Sequence, residues 1–434
     1  MDFEILKKLD KFDLELLYNI YLWRCLSVSQ AYESFYIDKY QTQKNFYNSK
    51  IKKMISANII DTVDFINEKR EQDIAIFLTN KGIDIVKHFF EIPIEIVDVK
   101  TKTIKKGYYT ASELKMNPKI INHQTNLNDF IIKFKKKAKE INLKWKYQDE
   151  KFLSQYVNIR PDGLIRIMNT DFFLEMDMCT ESKNQLVAKW ENYREFSRSN
   201  EFLYRERKLV ILFIIEGKNV ESRKNIVKLS SSEVLLDMFD KEFDLYAGSK
   251  EEILKLLFEY LIPDIQQISY KEEELRRVLN SKFGFSVADG ERLRKSLHDT
   301  TYTYYIRKIN SNNSICIEDG RLQEYLLDNY NYEPMSVISK IAYHKRNSSM
   351  FKINYGRDIS YIVILKDVEK AVKDLSLLEL LGTPNIYFTT IERLQKLNFY
   401  EAVFSVDNFG NMYSFKDMSL ERQVYEKSFK LREN

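Results

Sequence analysis

The chain is poor in the residues that make proteins loose or cross-linked. Its 434 residues include 11 glycines and 6 prolines, too few for long flexible linkers, collagen-like repeats or extended disordered tracts. Cys25, Cys179 and Cys316 are odd in number and far apart. That excludes a disulfide framework and a zinc-finger ligand set, and fits a reducing cytosol. No run approaches the about eighteen uncharged apolar residues of a membrane span. The opening, MDFEILKKLDKFDLELL, lacks the apolar stretch and cleavage site of a secretory signal, so we expect a cytoplasmic protein without a membrane partner. The histidines His88, His123, His298 and His344 are isolated. Neither the His-hydrophobe-His cluster of a HUH relaxase nor the His-x-x-Arg of a tyrosine recombinase is present. No GxxxxGK[ST] loop occurs, which excludes a P-loop ATPase.

What is present is ample material for packed cores: 44% hydrophobic residues, 14% aromatic, and a length that suits two or three domains. The net charge of +4 is small but uneven. Between Lys100 and Lys146 there are 13 lysines against Glu113, Asp129 and Glu140, an excess of ten, while the first ninety residues balance. Such a tract is either a solvated face or a track for phosphates.

The first ninety residues read as a winged helix-turn-helix. Asp13 is expected to cap a helix carrying Leu14, Leu17, Tyr18 and Tyr21 at helical spacing. Ser27 or Ser29 starts a second helix that turns Ala31 and Phe35 inward. A third helix, about Thr42 to Ala57, buries Tyr47, Ile51 and Met54 and turns Lys44, Asn45, Asn48 and Lys52 outward. Asn58 suits a left-handed stop. Two β-rich runs, Ile59–Ile66 and Asp73–Leu78, flank the charged tip NEKREQ, and Thr79 caps a helix through Phe90. FLTNKG is similar to the hairpin-exit signature of winged-helix regulators. The third helix is then expected in the major groove of double-stranded DNA, with Lys69 and Arg70 of the wing on the backbone. Asn reads adenine bidentately, and Lys meets phosphate or guanine. A winged helix used only for protein contacts is the alternative.

From Ile121 the pattern changes. A helix over His123–Ile141 has Leu127, Phe130, Ile131, Phe134, Ala138 and Ile141 on one face, and strands are expected at Leu143–Tyr147, Gly163–Met168 and Asp171–Met178. A helix over Glu181–Ser197 and a buried strand over Lys208–Ile215 follow. Helix, three strands, helix, strand is the order of a PD-(D/E)XK nuclease-like core. Asp162 stands before the second strand, and Glu175 and Asp177 share one face of the third. Buried carboxylates this close repel unless a cation, water or hydrogen bonds compensate. Asp162 and Glu175 are candidate ligands for Mg²⁺ or Mn²⁺, with no cofactor expected if the site is inactive.

The block RPDG…FFLEMDMCTESKNQLVAKWENY resembles that of the replication-relaxation family of plasmid, phage and integrative-element proteins. Its pattern falls on Pro161, Asp162, Glu175, Asp177, Thr180, Glu181, Ser182, Lys189 and Tyr193, with His123 and Asn128 similar on the preceding helix. The resemblance covers about residues 10–230. It implies a winged helix followed by a PD-(D/E)XK-like fold, and a part in plasmid replication, DNA relaxation or mobilisation with replication or relaxosome proteins as partners. One departure stands out: an active site wants lysine two residues after the strand glutamate, where this chain has Asp177. Lys189, or Lys183, would have to reach back from the next helix. With Asp162, Glu175, Asp177 and Lys189 as the candidate catalytic set, this departure favours an inactive scaffold over a working nuclease.

Beyond residue 262 the sequence promises an α/β region. FGFSVADGERLRKSLHDT looks helix-turn-helix-like, and TYTYYIRKINSNNSICIEDG reads as two strands around a turn at 310–314, so a second winged-helix-like unit and a plain α+β subdomain both fit. YIVILKDVEKAVKDL…PNIYFTTIERL gives strand, helix, strand, helix and echoes KLVILFIIEGKNVESRKNIVKL of the central region. The expected organisation is an α/β (α+β overall) protein: winged helix 1–92, basic linker 93–122, PD-(D/E)XK-like domain 123–262 and C-terminal domain 263–434. The leading functional expectation is binding of a specific duplex site, an origin, transfer site or operator of a mobile element. A metal-dependent nickase using Asp162 and Glu175, and a ligand- or protein-sensing regulator, are the alternatives. A homodimer is compatible with either.

Overall fold

The computed structural model describes residues 9–67, 70–98, 102–154, 156–266, 270–290 and 302–418. Helix α1 (Lys11–Leu22) is capped by Asp10, a turn earlier than its apolar spacing suggests. Asp10 accepts the backbone N–H groups of Phe12 and Asp13, and Asp13 accepts that of Asp10 in return. Asp13 is therefore no cap. It is buried, taking the Lys50 ammonium at 2.5 Å and the Tyr36 hydroxyl at 2.7 Å. Ser27 caps helix α2 (28–36), and Thr42 caps α3 (43–56), which contains a π-type turn at Tyr47–Ile51. Phe46, Ile51 and Met54 of α3 face the core, each contributing roughly 1.5–3 kcal/mol, while Tyr47 is half-buried. Asn58 closes the helix with φ +55°, as its side chain allows.

Strands β1 (Leu26–Ser27), β2 (Ile60–Ile66) and β3 (Gln72–Leu78) form an antiparallel sheet in the order β1-β3-β2. Thr79 then caps α4 (Asn80–Phe89). Gly82 lets this helix approach β2, since a Cβ there would lie 2.3 Å from the Ile59 carbonyl oxygen. Three helices, a small sheet and a closing helix are the winged-helix arrangement. The stretch expected as a basic linker is not one. It holds the hairpin β4 (Glu95–Asp98) and β5 (Thr103–Lys106), and its Tyr109, Leu114, Met116 and Ile121 are buried. Their apolar area outweighs the surrounding charge.

The central sheet has the order β10-β9-β8-β7-β6, built from β6 (Lys146–Asp149), β7 (Gly163–Ile167), β8 (Thr170–Asp177), β9 (Lys208–Ile215) and β10 (Phe243–Ser249). The first three are antiparallel and β8, β9 and β10 are parallel. Parallel neighbours need crossovers. With α5 (Pro118–Glu140) before the sheet, α6 (Lys183–Ser197) and α7 (Val220–Leu235) supply them. Leu127, Phe130, Ile131 and Phe134 of α5 pack with Phe172, Leu174 and Met176 on one face, and Trp190, Tyr193 and Phe196 of α6 with Phe173 on the other. A sheet covered on both sides explains the unbroken apolar run of β9.

The winged helix and α5 share one hydrophobic core. Asn128 of α5 donates to the carbonyls of Cys25 (2.6 Å) and Trp23 (3.2 Å), and Gln30 donates to that of Thr125 (2.7 Å).

After helices α8 (250–265) and α9 (270–282) comes a larger sheet, ordered β11-β12-β15-β16-β17-β18-β19. Its strands are β11 (Ser286–Asp289), β12 (Tyr304–Arg307), β15 (Glu324–Asn329), β16 (Ser360–Ile364), β17 (Ile386–Thr389), β18 (Phe404–Val406) and β19 (Met412–Ser414). A turn at Asn310–Ser314, with Asn313 at φ +59°, leads to the ribbon β13 (Ile317–Glu318) and β14 (Arg321–Leu322). The turn falls where the sequence puts it, but no second winged helix forms in the described residues. Ser286–Asp289 is a strand, and β12 pairs with β15 inside the large sheet. Residues 291–301, the rest of the helix-turn-helix-like stretch, lie outside the described residues. Helices α10 (Met335–Tyr355) and α11 (Val368–Leu377) join β15, β16 and β17 as parallel strands, and α12 (Ile391–Lys396) follows.

The C-terminal sheet repeats the central one. Both run as three antiparallel strands and then two parallel additions through helices. In the first, Gly163 pairs with Leu174, so Asp162 stands opposite Glu175, which neighbours Phe213 and then Ala247. In the second, Tyr304 pairs with Leu327, so Thr303 stands opposite Asp328, which neighbours Val363 and then Phe388. Two residues beyond Ala247 and Phe388 stand Ser249 and Thr390, each capping the next helix.

Candidate functional site

The candidate site lies where β7 begins beside the end of β8, under α6. Asp162 precedes β7 and accepts the Met176 N–H at 2.8 Å. Glu175 points from β8 toward α6, where residues four apart share a face. Lys189 meets its Oε2 at 3.0 Å and the Tyr193 hydroxyl donates to its Oε1 at 2.5 Å. Lys189 also meets Glu181 at 3.2 Å. Burial raises the Glu175 carboxyl above its ordinary range, with the Lys189 charge opposing. Burial would lower the Lys189 ammonium, but Glu175 and Glu181 outweigh it and push it up. His123 of α5 completes the rim, with Nε2 at 3.4 Å from Asp162 and 2.9 Å from the Met176 carbonyl. Burial lowers its pKa, yet the Asp162 carboxylate prevails and raises it.

Asp177 shares the strand face with Glu175 but not its partners. Arg223 of α7 donates Nε to Oδ2 at 2.5 Å and Nη2 to Oδ1 at 3.0 Å, both groups being buried. The repulsion expected between the two carboxylates is thus met by a separate cation for each. Lys183 pairs with Glu233 on an exposed surface and is no part of the cluster. The fold brings together Asp162, Glu175 and Lys189 and leaves Asp177 aside. It adds His123, Tyr193, Glu181 and Arg223. The first three stood in the quoted sequence block or the preceding helix; Arg223, 46 residues from Asp177, had no local signal.

Glu175 and Asp177 are each already held by a protein cation. Both Glu175 oxygens are engaged, and the Lys189 ammonium already supplies the positive charge beside them. Both oxygens of Asp177 are taken by a guanidinium. Among the described residues no group of three or more His, Cys, Asp or Glu is placed to hold a metal ion.

Residues 17–209, from the winged helix to the second residue of β9, match the family model described as replication-relaxation. This part of the chain is similar to the replication-relaxation family. No curated protein and no solved structure matches the chain. The replication-relaxation region thus contains both the winged helix and the Glu175–Lys189 pair. Among the described residues, no helix is long and apolar enough to cross a membrane.

The other candidate surface in this region is the outer face of α3. Lys44, Asn45, Asn48 and Lys52 are all exposed, and 43–56 contains four lysines and no acidic residue. Lys50 turns inward to Asp13. At the wing tip Arg70 is exposed with φ +62°, while Lys69 lies outside the described residues. Exposed Asp64 and Glu71 on the hairpin make the wing a poorer phosphate contact than α3. The basic tract is dispersed. Lys115 pairs with Asp61, Lys133 with Asp129 and Glu251, and Lys135 with Glu15, while Lys136, Lys139, Lys144 and Lys146 remain exposed.

Proposed function

We propose that the chain binds a specific double-stranded DNA site of a mobile element through α3, in the element's replication or mobilisation, and that the Glu175–Lys189 unit serves as scaffold. The carrying observation is the outward face of α3. Two lysines and two asparagines are exposed together, on a helix with no carboxylate to repel phosphate. The match of residues 17–209 to the replication-relaxation model supports a setting in replication or relaxation. The engaged state of Glu175 supports the scaffold role.

The test is selection from a random-sequence duplex pool, followed by band-shift titration on the enriched duplex at several salt concentrations. Asn45→Ala with Asn48→Ala should cost roughly 1–3 kcal/mol per lost base contact and relax sequence preference. Lys52→Ala should weaken binding to all duplexes and flatten the salt slope. No enrichment, or unchanged binding by the combined variant, would make the module a protein-contact surface. Supercoiled plasmid carrying the enriched site should stay intact in Mn²⁺. Nicking at that site, lost in Glu175→Ala, would overturn the scaffold reading.

A further inference from the structure

Glu333 lies in the connection between β15 and α10, one residue before Pro334, with φ +58°. A side chain with a Cβ is strained there, and a following proline narrows the choices further. Three lysines hold it in place. Lys228 and Lys370 each approach its carboxylate to 2.5 Å and Lys224 to 3.4 Å. Lys224 and Lys228 extend from α7 of the first sheet unit with side chains 4% and 3% exposed, and Lys370 extends from α11 of the second. Burial would raise the Glu333 carboxyl, but Lys228 and Lys224 prevail and bring it down to about 2. Burial keeps Lys224 below its ordinary value despite Glu333 and Glu252.

Beside this cluster is a cavity of about 260 Å³, lined by Lys224, Lys255, Lys366 and Lys370 together with Tyr332. It sits at the carboxyl ends of β10, β15 and β16, the edge at which open α/β sheets take their ligands. Glu252, Glu333, Asp367 and Asp374 match the four lining lysines one for one. With Glu333 withdrawn, those four lysines and Lys228 behind them face Glu252, Asp367, Asp374 and Glu221, which reaches Lys370 at 3.5 Å and Lys224 at 3.8 Å, so one positive charge is in excess. The Tyr332 ring, stacked on Tyr260 with centroids 5.1 Å apart, offers a flat wall.

We propose that this lysine cradle binds a phosphate-bearing anion, and that Glu333 is its built-in substitute, displaced when the ligand enters. A phosphate brings more charge and more acceptor oxygens to three ammonium groups than one carboxylate does. Displacement also frees Glu333 from its left-handed conformation. The proposal is independent of DNA binding by α3.

Full-length protein in phosphate-free buffer, titrated calorimetrically with inorganic phosphate and separately with adenosine 5′-monophosphate, tests it. Glu333→Gln should bind phosphate about tenfold more tightly than the parent, and Lys224→Gln and Lys370→Gln should each bind at least tenfold more weakly. Tighter binding of the nucleotide than of phosphate would assign the Tyr332 wall to a base; equal affinity would assign the cradle to phosphate alone. If Lys224→Gln melts early, the half-buried Lys370 carries the test. Absence of binding by both parent and Glu333→Gln, or unchanged affinity in Lys370→Gln, overturns the site. Equal affinity of parent and Glu333→Gln overturns the substitute role.

Discussion

The two sheet units place the same pair in the same position but surround it differently. In the first, Glu175 meets Lys189, and Tyr193, four residues along the helix, closes the other oxygen. In the second, Asp328 meets Lys340 at 2.7 Å, and four residues along stands His344, bonded to the Tyr302 hydroxyl at 2.6 Å. Where the first has Asp162, the second has Thr303, whose N–H and hydroxyl both donate to Asp328. The first pair keeps an opening, with the side chains of His123 and Asp162 30% and 26% exposed. The second pair also borders a cavity, of about 380 Å³, lined by Asp328, Lys340 and the exposed Thr303, while Tyr302 and His344 beside it are buried. A carboxylate on the central strand and a lysine on the next helix thus recur in both sheet units, whatever surrounds them. By itself the pair is no sign of catalysis.

The largest expected difference lies two residues beyond each carboxylate. Asp177 neutralises buried Arg223, whereas its counterpart Tyr330 only donates a hydroxyl to Asp374 at 3.0 Å, which Lys228 also meets. Asp177→Ala leaves the buried guanidinium with only the Glu181 carboxylate, 3.9 Å away, and should cost about 3–5 kcal/mol in urea unfolding. Removing the acid should not stabilise the strand. A loss under about 1 kcal/mol would show that Arg223 finds another anion.

The second contrast is in pH. Burial drops His344 to about 3, so it stays neutral while the unfolded chain protonates near 6.5. Its contribution is complete above that pH and is lost as pH falls, by about 2 kcal/mol at pH 5. His123 has its pKa raised, so its contribution is present at low pH and lost as pH rises through the folded value. Melting of His344→Gln should show a shallower acid slope than the parent, and His123→Gln should be more destabilised at pH 6 than at pH 8. Parallel behaviour of the two variants would erase the contrast.

The smallest effect is at Tyr330. Tyr330→Phe removes one hydrogen bond from a carboxylate that keeps its lysine, and should cost about 1–2 kcal/mol. A loss as large as that of Asp177→Ala would mean that the two units rely on this position equally.

Local signals were enough for much of this. The apolar spacing of α3, Asn58 at its end, the paired β runs of the wing and the unbroken run of β9 each record an environment within a few residues. The echo between β9–α7 and β16–α11 was legible for the same reason. What failed was partner identity. TYTYYIR reads as a strand whether its neighbour is a hairpin arm or Glu324–Asn329, so a winged helix and a mixed sheet look alike. Lys189 could be placed near Glu175 through the family pattern, but the Arg223 that claims Asp177 lies on a different crossover helix. Asp13 reads as a cap from its neighbours alone, whereas its burial depends on Lys50 and Tyr36, both distant in sequence.

One side-chain amide has a mechanical consequence. Asn128 grips two carbonyls at the entry to β1 from the middle of α5, the helix that roofs the central sheet. With the core continuous beneath it, the N-terminal module has no hinge there. A torque on α3 is carried through α5 into the sheet, so the module and the first unit turn as one lever. Asn128→Ala would loosen that joint while leaving every residue on the outer face of α3 in place.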